Sequence, residues 1–159
     1  MKIPARRLRL DIGHVRRGNM DGMQQNSYKD IFQKNRYVVV REFIPKDVAD
    51  FIYKYTLMKE KAVKVMSEVA FMPKNSFLGG FEDPQSPGSF SAYADFATEA
   101  LLLDSKEKME EVTGLSLVTT YSYTRIYYNG ASLEKHKDRE SCEISATLSL
   151  GFDNSNVSE

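Results

Sequence analysis

The chain is poor in the residues that fix small proteins from outside their cores. Its 159 residues include one cysteine, Cys142, so no internal disulfide can form and a reducing compartment such as the cytoplasm is expected. Tryptophan is absent and there are two histidines. Net charge is absent too, since Lys+Arg and Asp+Glu both number 22. A general nucleic-acid binder carries a basic excess, so no nucleic-acid partner is expected. No apolar run approaches the ~18 residues of a membrane span. The first residues, MKIPARRLRL, lack the apolar stretch of a secretory signal. No membrane association is therefore expected, and no internal repeat is visible.

What remains is enough for one domain with a real core and too little for two ordinary ones. Residues 1–26 read as a basic, irregular arm carrying Lys2, Arg6, Arg7, Arg9, Arg16 and Arg17, either solvated over the domain or held by a local anionic contact. Residues 27–159 form the domain. Ser27 is a helix cap for a short helix to about Lys34, and Tyr37-Val38-Val39-Val40 reads as a buried strand. Pro45 suits a helix start, and apolar residues at helical spacing run from Val48 to Met58, then from Ala62 to Ala70 after a break. Residues 71–91 hold Pro73, Gly79, Gly80, Pro84, Pro87 and Gly88 and read as a long loop, either a functional cover or a passive connection. A helix is expected to resume near Ala92 and to stop at Gly114.

From Leu115 the period changes to two. Leu115, Leu117, Thr119, Tyr121, Tyr123, Arg125 and Tyr127 share a face if the strand is unbroken. So long a strand implies a bend or bulge. Asn129-Gly130 is a tight-turn signal, and Ile144, Ala146, Leu148 and Leu150 alternate with polar residues along a second strand.

Between those strands lie His136 and Asp138. In extended backbone, residues two apart project to one side, so the imidazole and the carboxylate can meet one divalent ion while Lys137 points away. Two histidines and a carboxylate on one face leave the other positions of an iron(II)-type centre open. With 22 acidic residues in the chain, such a pair also arises by chance, and on spacing alone a surface His and Asp is the simpler reading. His14 has Arg16 two places on and offers no second pair.

The run Tyr127-Tyr128-Asn129-Gly130, then Leu133, His136 and Asp138, then Thr147 on a following strand, resembles the iron(II)/2-oxoglutarate-dependent dioxygenases, most closely the prolyl-hydroxylase-like branch. The resemblance spans about residues 27–152. It implies an α+β fold, a double-stranded β-helix (jelly roll) with supporting N-terminal helices. It implies Fe(II) held by His136 and Asp138, and 2-oxoglutarate met by Tyr127, with Leu133 and Thr147 lining its pocket. Arg125 shares a face with Tyr127, and either meets substrate or makes a surface ion pair. Tyr127 and Thr147 also admit plainer roles, as a cross-strand aromatic and a solvent-facing strand residue. The expected activity is hydroxylation of a peptidyl proline, another side chain or a small molecule.

The pattern also departs from that family. It takes a third ligand, a histidine, from a later strand, and a basic residue beyond it pairs with 2-oxoglutarate. After Asp138 this chain has no histidine, and Arg139 is its one basic residue. The expectation is a roll cut short and inactive as it stands, whose exposed strand edges favour a homodimer. A non-catalytic interaction module built on the same sheet is the alternative.

Overall fold

The structure is a computed structural model that describes residues 6–11, 27–69 and 77–153. His14, most of the basic arm and the last residues of the tail lie outside these. Among the described residues, five strands and four helices follow in the order β1 (Arg6–Asp11), α1 (Tyr28–Asn35), β2 (Val39–Arg41), α2 (Lys46–Glu68), β3 (Phe90–Tyr93), α3 (Phe96–Asp104), α4 (Lys106–Thr113), β4 (Tyr123–Ile126) and β5 (Ile144–Leu148). The strands make a three-stranded sheet in the order β2-β1-β5 and a separate pair, β3 with β4. In the first sheet β1 runs parallel to both neighbours, aligning Arg9 with Val39 and with Thr147. The second pair is antiparallel. An eight-stranded double roll is not formed among the described residues.

The arm expected to be irregular thus contributes the central strand of a sheet. Leu8 and Leu10, two apart, are the period-two signal for it.

Two apolar clusters organise the packing. The first joins Phe32, Val38, Val40, Phe43, Ile44, Ala49 and Val112, with Ile144, Leu148 and Leu150 of the β5 region against it. The second joins Val63, Phe90 and Ala92, with Phe81 and Ile126. Helix α2 serves both. Its 23 residues span about 35 Å, so Ala49 reaches the first cluster and Val63 the second. No break interrupts it, and Phe51 and Met58 of its expected apolar stripe are exposed.

Local signals set several boundaries. The Ser27 hydroxyl accepts from the Asp30 N–H at 3.2 Å and donates to its carboxylate at 2.8 Å, which satisfies a donor left free at the helix start. Ser27→Ala is expected to cost about 1 kcal/mol of stability in urea unfolding. Arg36 closes α1 in left-handed conformation. In Tyr37–Val40, Val38 and Val40 are buried while Tyr37 and Val39 are exposed, so one face of this segment is covered rather than both.

Two further expectations are corrected. Ala92 and Tyr93 belong to a strand, not a helix, because Phe90 and Ala92 are drawn into the second cluster and pair with β4. The helix begins only after Asp95, whose carboxylate caps the Ala97 N–H at 2.9 Å, and Ser105 divides it from α4. The second correction concerns the segment from Leu115. Its alternation of half-buried and exposed residues holds through Thr120, but only Tyr123–Ile126 forms a ladder. Upstream, carboxylates replace a partner strand. Glu110 accepts the Leu117 N–H at 2.8 Å, and Glu99 accepts the Ser122 N–H at 2.6 Å.

Candidate metal centre

Strand β4 delivers the chain to the site. Just past it, Ala131 N–H donates to the Tyr128 carbonyl at 2.9 Å, closing a turn with Gly130 at φ 83°. Asn129 stays at negative φ, so the turn has the type II pattern rather than the primed one that joins two-residue hairpins. The chain then runs without regular structure to β5, and His136 and Asp138 sit in this stretch.

The two side chains converge. His136 Nε2 lies 3.7 Å from Asp138 Oδ1, and each group is anchored at its other end. His136 Nδ1 is 2.8 Å from the Glu134 carbonyl. A carbonyl only accepts, so the ring proton is assigned to Nδ1 and, in the neutral ring, the lone pair to Nε2. Asp138 Oδ2 accepts the Ser145 hydroxyl at 2.6 Å from β5. Two electron-pair donors therefore face each other, an arrangement that a cation or a proton between them stabilises. Ligand atoms each about 2.1 Å from one ion lie between about 3 Å apart at a right angle and about 4.2 Å apart in line. The observed 3.7 Å lies inside that span and is wider than the right-angle value, so two ligands on one face of an ion would draw closer together on binding. Among the described residues no third His, Cys, Asp or Glu joins the pair.

The other expected site residues are placed as follows. Tyr127 follows β4 and is about half exposed, and Leu133 lies in the connecting stretch, also exposed. Thr147 lies exposed on β5, two residues from Ser145, and so on the face from which Ser145 reaches Asp138. His136 and Asp138 face each other, His136 meets the Glu134 carbonyl, and Asp138 takes the Ser145 hydroxyl and bears electrostatically on Tyr121. Tyr127 bears instead on Arg125, helping to hold its charge.

Arg125 is engaged elsewhere. Its Nε donates to Asp83 Oδ2 at 2.6 Å, its Nη2 donates to Gln85 Oε1, and it stacks 4.5 Å from the Tyr123 ring centre. Side-chain exposure is 14% for Arg125 and 2% for Asp83, so this is an inner ion pair and not a surface one. Burial works against the Asp83 charge. The hydrogen bond from Arg125, the Gln85 N–H at 2.9 Å, the Arg125 charge and the Tyr123 hydroxyl at 3.1 Å outweigh it and hold the carboxyl below its usual range. Burial likewise opposes the Arg125 charge, and Asp83 overcomes it, raising the guanidinium further.

These contacts make the described part of the long loop a built element. Ser86 and Ser89 are fully buried and their hydroxyls meet at 2.8 Å. The Gln85 carbonyl accepts the Glu134 N–H at 2.8 Å, two residues before His136. Ser145, Glu134, Gln85 and Asp83 were not singled out from the sequence. The period-two relation to Thr147 marks Ser145. Nothing local marks Asp83 and Gln85, whose partners are about forty residues away.

Comparison with known proteins finds no matching family model, no matching curated protein and no matching solved structure. No helix among the described residues is long and apolar enough to cross a membrane.

Proposed function

We propose that this chain carries part of an iron(II)/2-oxoglutarate-dependent oxygenase centre, in which His136 and Asp138 supply two of the protein ligands. The observation that carries the reading is the facing of His136 Nε2 and Asp138 Oδ1 at 3.7 Å, with Nδ1 and Oδ2 both tied back. Bound there, iron would let dioxygen oxidise both partners, one oxygen atom entering succinate as 2-oxoglutarate loses CO2 and the other entering a substrate C–H bond as hydroxyl. The chain's own residues do the holding. Glu134 and Ser145 orient the ligands, and Tyr127 offers a hydroxyl to the cosubstrate. Leu133 and Thr147 are the remaining wall residues of the reading. The jelly roll, with strand edges free to pair between copies, belongs to the same proposal. The substrate class is a peptidyl side chain, proline foremost, or a small molecule.

Anaerobic titration with Fe(II) and 2-oxoglutarate is expected to produce a weak visible charge-transfer band. His136→Ala and Asp138→Ala are each expected to abolish it. No succinate release is expected from this chain, since the pair lacks a third protein ligand among the described residues. A band that persists in His136→Ala, or no band in the unaltered protein, sinks the reading. That missing third ligand is also the observation favouring a non-catalytic interaction module, for which the titration stays colourless.

A further inference from the structure

The geometry points to Asp83 and Arg125 as positioning residues for His136, acting through the loop that carries Gln85. This rests on the reading of His136 as a metal ligand.

The connection is a continuous run of hydrogen bonds. Asp83 fixes the loop by accepting the Gln85 N–H at 2.9 Å on Oδ1 and Arg125 Nε at 2.6 Å on Oδ2. Arg125 also grips the Gln85 side chain through Nη2. Gln85 is thus held at both its backbone N–H and its side chain, and its carbonyl takes the Glu134 N–H at 2.8 Å. The peptide of Glu134 is anchored in this way, and the Glu134 carbonyl accepts Nδ1–H of His136 at 2.8 Å. Which imidazole nitrogen carries the proton is set by the bond its other nitrogen makes. Here that bond leaves Nε2 free to face Asp138 Oδ1. Groups that hold the second nitrogen of a ligating histidine fix its tautomer and orientation. The clamp begins at an ion pair whose side chains are 2% and 14% exposed, whereas His136 sits in a stretch with no regular structure of its own. Rigidity is imported from β4 and the loop.

The test reads the tautomer directly, without metal. Long-range proton–nitrogen NMR at about pH 8.5, above the ordinary imidazole range, resolves Nδ1–H from Nε2–H rings. The chain has two histidines, so His14→Gln assigns the His136 signals. In the unaltered protein His136 is expected to be mainly the Nδ1–H form. Arg125→Gln and Gln85→Ala are expected to shift it towards Nε2–H and to weaken Co(II) binding about 10–100-fold. Arg125→Lys, which keeps the charge against Asp83 but not the fork that also reaches Gln85, is expected to fall between the unaltered protein and Arg125→Gln in both readings. Gln85→Ala leaves the inner ion pair intact and decides the matter if Arg125→Gln does not fold. Ser27→Ala, destabilising but remote, is expected to move neither reading. The inference is overturned if the unaltered protein lacks the Nδ1–H form, or if a folded Arg125→Gln or Gln85→Ala keeps the unaltered tautomer. Failure of the unaltered protein to bind Co(II), with the tautomer shift intact, counts against the metal reading and leaves the clamp standing.

Discussion

Asp95→Ala is expected to destabilise the fold by about 3–5 kcal/mol, the cost of leaving a buried charge without its partner. The Asp95 side chain is 6% exposed and that of its partner Lys59 15%. One carboxylate serves three donors from two helices. Oδ2 takes Lys59 Nζ and, at 2.8 Å, the Tyr55 hydroxyl, both from α2, while Oδ1 caps α3. Lys59 also donates to the Phe77 carbonyl at 2.9 Å, so the cluster ties α2 to the loop and to the β3–α3 corner. Truncating Asp95 strands the ammonium and the phenol together. Asp95→Asn keeps an acceptor oxygen for the cap and turns an amide N–H towards the Tyr55 hydroxyl, which can accept it. It loses the charge and the acceptor for Lys59 but fills the same space, so it is expected to cost less than Asp95→Ala. The midpoint shift in urea, with m unchanged, measures both.

The same cluster fixes the pH dependence. Burial opposes the Asp95 charge, but the bonds from Lys59 and Tyr55, the Lys59 charge and the Ala97 N–H outweigh it and lower its pKa. A carboxyl lowered in the folded state contributes stability that is present above its unfolded value of about 4 and is lost as pH falls below it. Asp83 adds to this loss in the same direction. Tyr55 behaves oppositely. Burial, its bond to Asp95 and the Asp95 charge push the phenol up to about 12 from 10.0. Its contribution is complete below pH 10 and is lost as pH rises towards 12. Stability is therefore expected to fall at both ends, and Asp95→Asn is expected to flatten both.

Gly79→Ala is expected to cost about 2–5 kcal/mol, combining left-handed backbone strain with overpacking. Gly79 has φ 95°, and an added Cβ would lie 2.6 Å from Phe90 Cζ and 2.9 Å from the Ser91 carbonyl oxygen. Neither neighbour can retreat. The Phe90 ring is fully buried in the second cluster, and the Ser91 carbonyl is fixed by the Gly80 N–H at 2.9 Å. Gly88 separates the two causes. It has φ 79° but nothing within 4 Å of an added Cβ, so Gly88→Ala should show the backbone strain alone, about 1–2 kcal/mol. Equal unfolding midpoints for the two variants would remove the clash from the account.

Helix starts were legible because their signals are local. The Ser27 hydroxyl reaches a backbone N–H three residues away, and Pro45 stands just before α2. The strand at Phe90–Tyr93 is not legible in the sequence, because a short apolar segment has no decisive period, and pairing with β4 decides it. The long strand from Leu115 was legible in its alternation and not in its pairing, since carboxylates of Glu99 and Glu110 stand where a neighbouring strand would.

At the candidate site the division is similar. Spacing alone put His136 and Asp138 on one side of an extended chain, because side chains alternate along it. It did not bring Nε2 and Oδ1 to 3.7 Å. That required the Glu134 carbonyl on one ring nitrogen, Ser145 of β5 on one carboxylate oxygen, and a loop about fifty residues earlier holding Glu134 in place. By itself the sequence determined which groups can donate electron pairs to a metal. Tertiary structure alone decided where those pairs point, because the bonds that aim them come from residues far apart in the chain, and no local pattern encodes them.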